Sequence, residues 1–455
     1  MNTKHILHLY ARAGFGATQS DLERFADINV TQVVEALFDT SKAMKPLEVD
    51  VSEFKNINRK DLDEEVIQEL RKKSRNKIKT FNIKWIERLE SSQEMLREKM
   101  TLFWANHFVC KDDNILFVQQ YNNTLRANAL GNFGDFIKAV STEAAMIKYL
   151  NNKQNKKLRP NENFARELME LFMLGVGNYT ETDIKESARA FTGYNNDLNG
   201  NFKMRVFQHD NDEKVFFGKT GNFNGEDIIN IILEQKQCAR FICGKIYKYF
   251  VNETINKDHV EELTVLFYKD YDIENLMRYI FNSDWFYSEE NIGNKIKSPI
   301  ELLVGMNKIV PMTFKKQKDV FKVQKLLGQI LLNPPNVAGW KGGKNWIDSN
   351  TIMLRLKLPS ILLGNAQISV KPKGEFEDTY EEFYAKGKRK KILDVSANWK
   401  AFEKQFQNAT VKNLREQLII AQLSDGTQTY LDTLSQSSKR EYCIQLMSLP
   451  EYQMC

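Results

Sequence analysis

Apolar residues recur at three- and four-residue intervals over most of the chain, broken by short glycine- and proline-bearing joints. That spacing predicts a body built of amphipathic helices. The clearest runs are ERLESSQEMLREKMTLFWANHF and KQCARFICGKIYKYFV. Within Met95–Phe108, the residues Met100, Phe103, Trp104 and His107 share one face, so a histidine sits inside an apolar stripe. Within Glu162–Leu174, turning about 100° per residue, Phe164, Leu168, Leu171 and Phe172 make the buried face. Glu162, Arg166 and Glu170 stand four apart on the opposite side, where such pairs stabilise a helix without needing a function. Glu167 falls between Leu171 and Leu174, at the edge of the stripe. A carboxylate there must find a partner, change its protonation state or border a cleft.

The joints are as readable as the helices. Gly175 and Gly177 can take the left-handed conformation that ends a helix. Thr180 with Asp183 three residues later forms a capping box for a second helix whose buried face is Ile184, Ala188 and Phe191. The segment Arg205–Phe217 is the one expected β element, a hairpin with His209 and Asp210 at its tip. Past Gly364 the composition shifts: Lys371–Lys391 reads as a charged linker or loop, then Asn413–Ala421 and Lys439–Met447 read as amphipathic helices. The expected architecture is mainly α, a multi-helix globular body with a small β-hairpin and a helical C-terminal lobe. Residues 1–364 would be the helical core, and 365–455 the linker and lobe.

With 455 residues, 42% of them hydrophobic, the chain can bury a large core. A formal charge of +6 is too weak to indicate nucleic-acid binding. The basic runs Arg71–Lys79 and Lys386–Lys391 lack the interleaved aromatics of a single-strand binder and read as solvated faces. Five cysteines without CxxC spacing indicate neither a disulfide framework nor a cysteine zinc site. No segment has the apolar length of a membrane span. MNTKHILHLYARAG, with two histidines and an arginine in its apolar run, does not read as a signal peptide, so a cytoplasmic location is the default. Walker, dinucleotide, HExxH and GxSxG motifs are missing from the sequence, and GVGNY follows a helix rather than a strand.

Candidate chemistry therefore rests on the inward-facing ionisable groups. His107 and Glu167 would form an acid–base pair, with Arg166, His209 and Asp210 in support, because burial and mutual proximity shift pKa values toward useful ones. A variant is a divalent metal held by His107, Glu167, Glu170 and His209, a mixed nitrogen and oxygen set suited to a first-row ion. The bland alternative is a core histidine satisfied by a carbonyl or carboxylate. The loop Asn333–Trp346, stiffened by Pro334 and Pro335 and carrying Trp340 and Trp346, is a candidate binding element and the expected wall of a cleft beside the Glu162–Leu174 helix and the helix that follows it. Those tryptophans would stack on a flat ligand or cover the core. Ser349 can cap the helix that follows.

Several of these stretches, in this order, resemble one bacterial family, the domain of unknown function 1800. They are HLYARAGFGAT from His8, LREKMTLFWANHF, the signature NENFARELMELFMLGVGNYTETDIKESARAFTGY, FQHDNDEKVFFGKTGNFNGEDII, KSPIELLVG, GQILLNPPNVAGWKGGKNWI and LMSLPEYQ. Where the family tends to have an aspartate–proline pair before the signature, this chain has Thr142-Glu143-Ala144-Ala145, with Glu143 as the available substitute. The resemblance implies a neighbour of the domain of unknown function 1501 family, which resembles alkaline phosphatases and sulfatases. It also leaves an exported location open, since some relatives look exported. Two function classes follow: a hydrolase or lyase in a helical cleft, or a non-enzymatic scaffold for the phosphatase-like partner or a cell-surface polymer.

Overall fold

Most helices of the chain begin at a side chain that can accept a backbone N–H, and this fixes where each one starts. Asn2, Thr18, Asn29, Asp63, Asn132, Thr180, Asn224, Asn256, Asp272 and Ser298 all cap the helix that follows them. The computed structural model describes residues 1–57, 60, 62–364, 393–434 and 438–455. The protein is mainly α-helical, with small antiparallel strand pairs. No helix among the described residues is long and apolar enough to cross a membrane.

The predicted helix ends hold closely. The tryptophan–histidine helix runs Met95–His107, the second signature helix Glu181–Ala190, and the last long helix Lys439–Met447. The predicted 413–421 helix is Val411–Leu418. The basic run 71–79 lies on the long helix Glu64–Ser91 and is mostly solvated, as its composition suggested. The predicted linker Lys371–Lys391, with the basic run Lys386–Lys391, lies outside the described residues.

The β elements differ in detail from the single hairpin expected over Arg205–Phe217. β1 (Tyr194–Asn196) pairs with β2 (Phe202–Met204), and β3 (Lys214–Phe216) pairs onward with β4 (Lys219–Gly221). Between them Val206–Gln208 is a short 3-10 turn, so His209 and Asp210 join two hairpins and are not the tip of one. A third pair, β5 (Met312–Phe314) with β6 (Val395–Ala397), ties the C-terminal segment to the body. Ser349 is the first residue of its helix and not the cap; Asp348 accepts the Thr351 amide instead.

Two large apolar clusters hold most of these elements. The larger is centred on Trp104, which is fully buried among Phe108, Phe133 and Phe136 and donates its indole N–H to the Ala129 carbonyl at 3.0 Å. The smaller gathers helices Pro299–Ile309, Gln317–Leu327 and Ser349–Leu362 with the C-terminal helices around Phe402, Leu446 and Met447. The signature segment packs into the larger cluster, one side of it against the tryptophan–histidine helix.

Candidate functional site

The signature helix is not uniformly α-helical. It starts as α over Asn163–Glu167 and widens into a π-helix over Leu168–Met173, where the Leu174 amide bonds back to the Met169 carbonyl at 2.8 Å. Gly175 and Gly177 then take positive φ, both at 82°, and end it. A helix that stops inside the core leaves its last carbonyls without intrahelical partners, and each must be satisfied from elsewhere.

Four side chains do this. His107 Nε2 lies 3.0 Å from the Phe172 carbonyl oxygen, and Lys245 Nζ donates to the Leu171 carbonyl at 2.8 Å. Gln237 and Asn178 both donate to the Leu174 carbonyl at 3.1 Å. Lys245 also lies 3.3 Å from His107 Nδ1, so the two cap residues are linked to each other. A carbonyl can only accept, so Nε2 carries the imidazole proton and Nδ1 accepts from the lysine. Burial, and then the neighbouring Lys245 charge, hold His107 well below the usual histidine range; the imidazole is neutral. Burial alone pushes Lys245 down to about 8. A cation at the C-terminal end of a helix is favourably placed against the helix dipole.

Glu167 stands apart from this cluster. Neither nitrogen of His107 bonds to it, since both are occupied by Phe172 and Lys245. Glu167 is half-buried, and its carboxyl is raised by burial and by Glu170, against a smaller lowering from Arg166. The neighbours of Glu167 are already committed. Arg166 pairs with Glu181 at 2.9 Å and Glu162 at 3.1 Å, and Glu170 accepts from the Tyr179 hydroxyl at 2.9 Å.

His209 and Asp210 dock on the end of the second signature helix. His209 Nδ1 donates to the Thr192 carbonyl at 2.8 Å, and Asp210 accepts from Arg189 at 2.8 Å. Among the described residues no three His, Cys, Asp or Glu side chains gather as ligands. His107, Glu167, Glu170 and His209 are therefore not brought together here. Two of them are turned to backbone carbonyls and one to a tyrosine.

Trp340 is held at the end of the tryptophan–histidine helix by Asn106, the residue before His107. Asn106 donates to the Trp340 carbonyl at 3.0 Å and accepts its amide at 2.8 Å. Gly339, with φ of 76°, makes this approach feasible, because a Cβ there would meet Asn106 Oδ1 at 2.3 Å. Trp346 packs with Trp340 and Ile296 in a small separate cluster. Trp340 also borders a cavity of about 30 Å³ with Cys110, Asp112 and Tyr121, room for about one water.

A family model described as "Protein of unknown function (DUF1800)" matches residues 8–454. The chain belongs to that family. No curated protein matches it, and no solved structure does.

Two features of this DUF1800 chain escaped the sequence reading. Lys245 lies within the apolar run KQCARFICGKIYKYFV, and a lysine set between Phe241 and Tyr247 was the available signal. The other is a buried charge cluster in which Glu301 accepts from Lys99 and Lys295 and, at 2.7 Å, from the Ser298 amide. Glu143, the substitute for the family's aspartate, is raised by burial and accepts from the Thr124 hydroxyl.

Proposed function

We propose that this DUF1800 protein is a non-enzymatic helical scaffold whose partner is a phosphatase- or sulfatase-like protein of the domain of unknown function 1501 family. The observation that carries the proposal is the use of His107: both of its nitrogens are spent on closing the C-terminus of the signature helix. A residue so committed supports a fold rather than a substrate. Ligand-sized space lies elsewhere, in a cleft of about 470 Å³ lined by Ile292, Ile347, Ile352, Ile420 and Met454, with Lys4 and Glu289 also lining it. Ile347 follows the tryptophan loop, which makes that loop the bridge between the capped helix and the cleft. A cell-surface polymer is the other occupant such a cleft would suit. The experiment is co-elution of the purified chain with its phosphatase-like neighbour on size exclusion, followed by calorimetry. Complex formation that survives Glu167→Gln supports the scaffold; failure of the two proteins to associate removes the partner from the proposal.

One observation favours a second reading. The Glu167 side chain makes no hydrogen bond among the described residues, and its carboxyl is raised, as a general acid of a hydrolase or lyase would need. In that reading Glu167 gives the proton, Arg166 orients an anionic substrate and His107 supports from behind. Turnover of a phosphate, sulfate, ester or glycoside substrate that is abolished by Glu167→Gln, with the melting curve unchanged, would establish it and displace the scaffold.

A further inference from the structure

The chain that leads into the signature helix makes a projection with an unusual surface. Lys156 and Arg159 pair across a tight turn, with Arg159 N donating to the Lys156 carbonyl at 2.8 Å, and this puts Lys157 and Leu158 at the tip. The turn is braced from below. Asn155 donates to the Ala188 carbonyl and accepts the Asn161 amide, and its own carbonyl accepts the Gly193 amide. The Lys157 amide donates to the Gln208 carbonyl at 2.9 Å, which joins the tip edge to edge with the turn Val206–Gln208.

Three apolar side chains stand out from this braced pair of turns. Leu158 is 91% exposed, Phe207 75% and Val206 69%. Backbone hydrogen bonds hold these residues outward, so they are not core residues displaced by a floppy loop. The two turns themselves carry charge of one sign, and behind them Lys203 pairs with Asp197 at 3.6 Å. Residues 151–161 and 201–209 carry Lys153, Lys156, Lys157, Arg159, Lys203 and Arg205 and no acidic residue. Lys156, Lys157 and Arg159 are exposed and make no ion pair among the described residues.

We propose that this projection docks the protein onto an anionic lipid surface, with Leu158, Val206 and Phe207 entering the headgroup region and the basic ring facing lipid phosphates. Leucine and phenylalanine ringed by lysine and arginine is the composition of interfacial membrane contacts, where apolar burial and attraction to anionic lipid add. An acidic protein is the alternative partner. Lysine is depleted from protein–protein interfaces, whereas here it flanks the most exposed leucine on a convex tip. This surface is distinct from the tryptophan loop and its cleft, and the proposal stands or falls separately from the scaffold reading.

The test is co-sedimentation of the full chain with vesicles of phosphatidylcholine alone and of phosphatidylcholine mixed equally with phosphatidylglycerol. Sedimentation with the anionic vesicles only, weakened by salt, is expected. The double variant Leu158→Asp/Phe207→Asp should lose it. Lys157→Ala and Arg159→Ala should each lower partitioning about fivefold. These positions are exposed, so unchanged circular dichroism and melting should accompany the loss. No sedimentation with anionic vesicles, equal sedimentation of the double variant, or capture by an acidic protein with no vesicle binding would overturn the proposal.

Discussion

His107 Nε2 donates to the Phe172 carbonyl oxygen at 3.0 Å, at the point where a π-helix ends inside the core. The consequence is a division of labour within the signature. His107 and Lys245 close the helix, while Glu162 and Glu170, bonded to Arg166 and Tyr179, and the half-buried Glu167 take no part in that closure.

Removing the imidazole should therefore be a stability lesion. His107→Ala leaves the buried Phe172 carbonyl without its donor, and an unsatisfied buried group costs about 1–3 kcal/mol. Urea unfolding should show a loss of that size or larger, with the cavity adding to it. A variant as stable as the parent would mean that the cap contributes nothing.

Acid should act through the same residue. His107 is neutral when folded, with its pKa below the ordinary 6.5, so the unfolded chain takes up a proton there that the native chain does not. Stability from this group is complete above about pH 6.5 and is lost as pH falls below it, by up to about 1.4 kcal/mol per pH unit. His8, buried and lowered in the same direction, adds a second such contribution. His107→Gln should flatten the acid limb of the stability curve without abolishing it. An unchanged slope would assign the acid sensitivity to other groups.

Glu167→Gln should behave oppositely to the His107 variants. The carboxylate is half-exposed, makes no hydrogen bond among the described residues and is repelled by Glu170, so its neutralisation should change stability by no more than about 0.5 kcal/mol. Denaturant midpoints of parent and variant compared side by side check this. A loss above 2 kcal/mol would show that Glu167 has a structural partner.

Gly339→Ala should detach the tryptophan loop. A side chain at positive φ costs about 1–2 kcal/mol, and its Cβ would collide with Asn106. The fluorescence of Trp340 should shift toward that of an exposed indole while far-UV dichroism stays helical. An unshifted emission spectrum would mean that the loop tolerates the collision.

The sequence revealed some of this design and concealed the rest for physical reasons. Helix starts were legible because capping is local chemistry: Thr180 with Asp183 forms its box as read, and Gly175 and Gly177 are left-handed as read. The π-turn was not legible. A wheel at 100° per residue assumes α geometry, and beyond Leu168 the widened turn changes which side chains and carbonyls face the neighbouring helix. The apolar face of His107 is legible, and a core histidine satisfied by a carbonyl is one of the readings it allows; that the carbonyl is Phe172 and not a carboxylate such as Glu167 is not legible, because backbone carbonyls leave no mark in composition. Lys245 was hidden for the reverse reason: a lysine in an apolar run looks like a solvated interruption, yet it reaches the same helix end from a helix far along the chain. The hairpin over Arg205–Phe217 was misplaced because Val206 and Phe207 look like strand residues and are instead an exposed 3-10 turn.

The most direct test of the capping role is long-range nitrogen–proton NMR of the His107 ring through a pH titration. A cap donating to Phe172 and accepting from Lys245 requires a neutral imidazole protonated at Nε2, unchanged as pH falls well below 6.5 until the protein unfolds. A ring that titrates reversibly near 6.5 in the folded state, or that carries its proton at Nδ1, would contradict the cap and return His107 to the list of candidate acid–base residues.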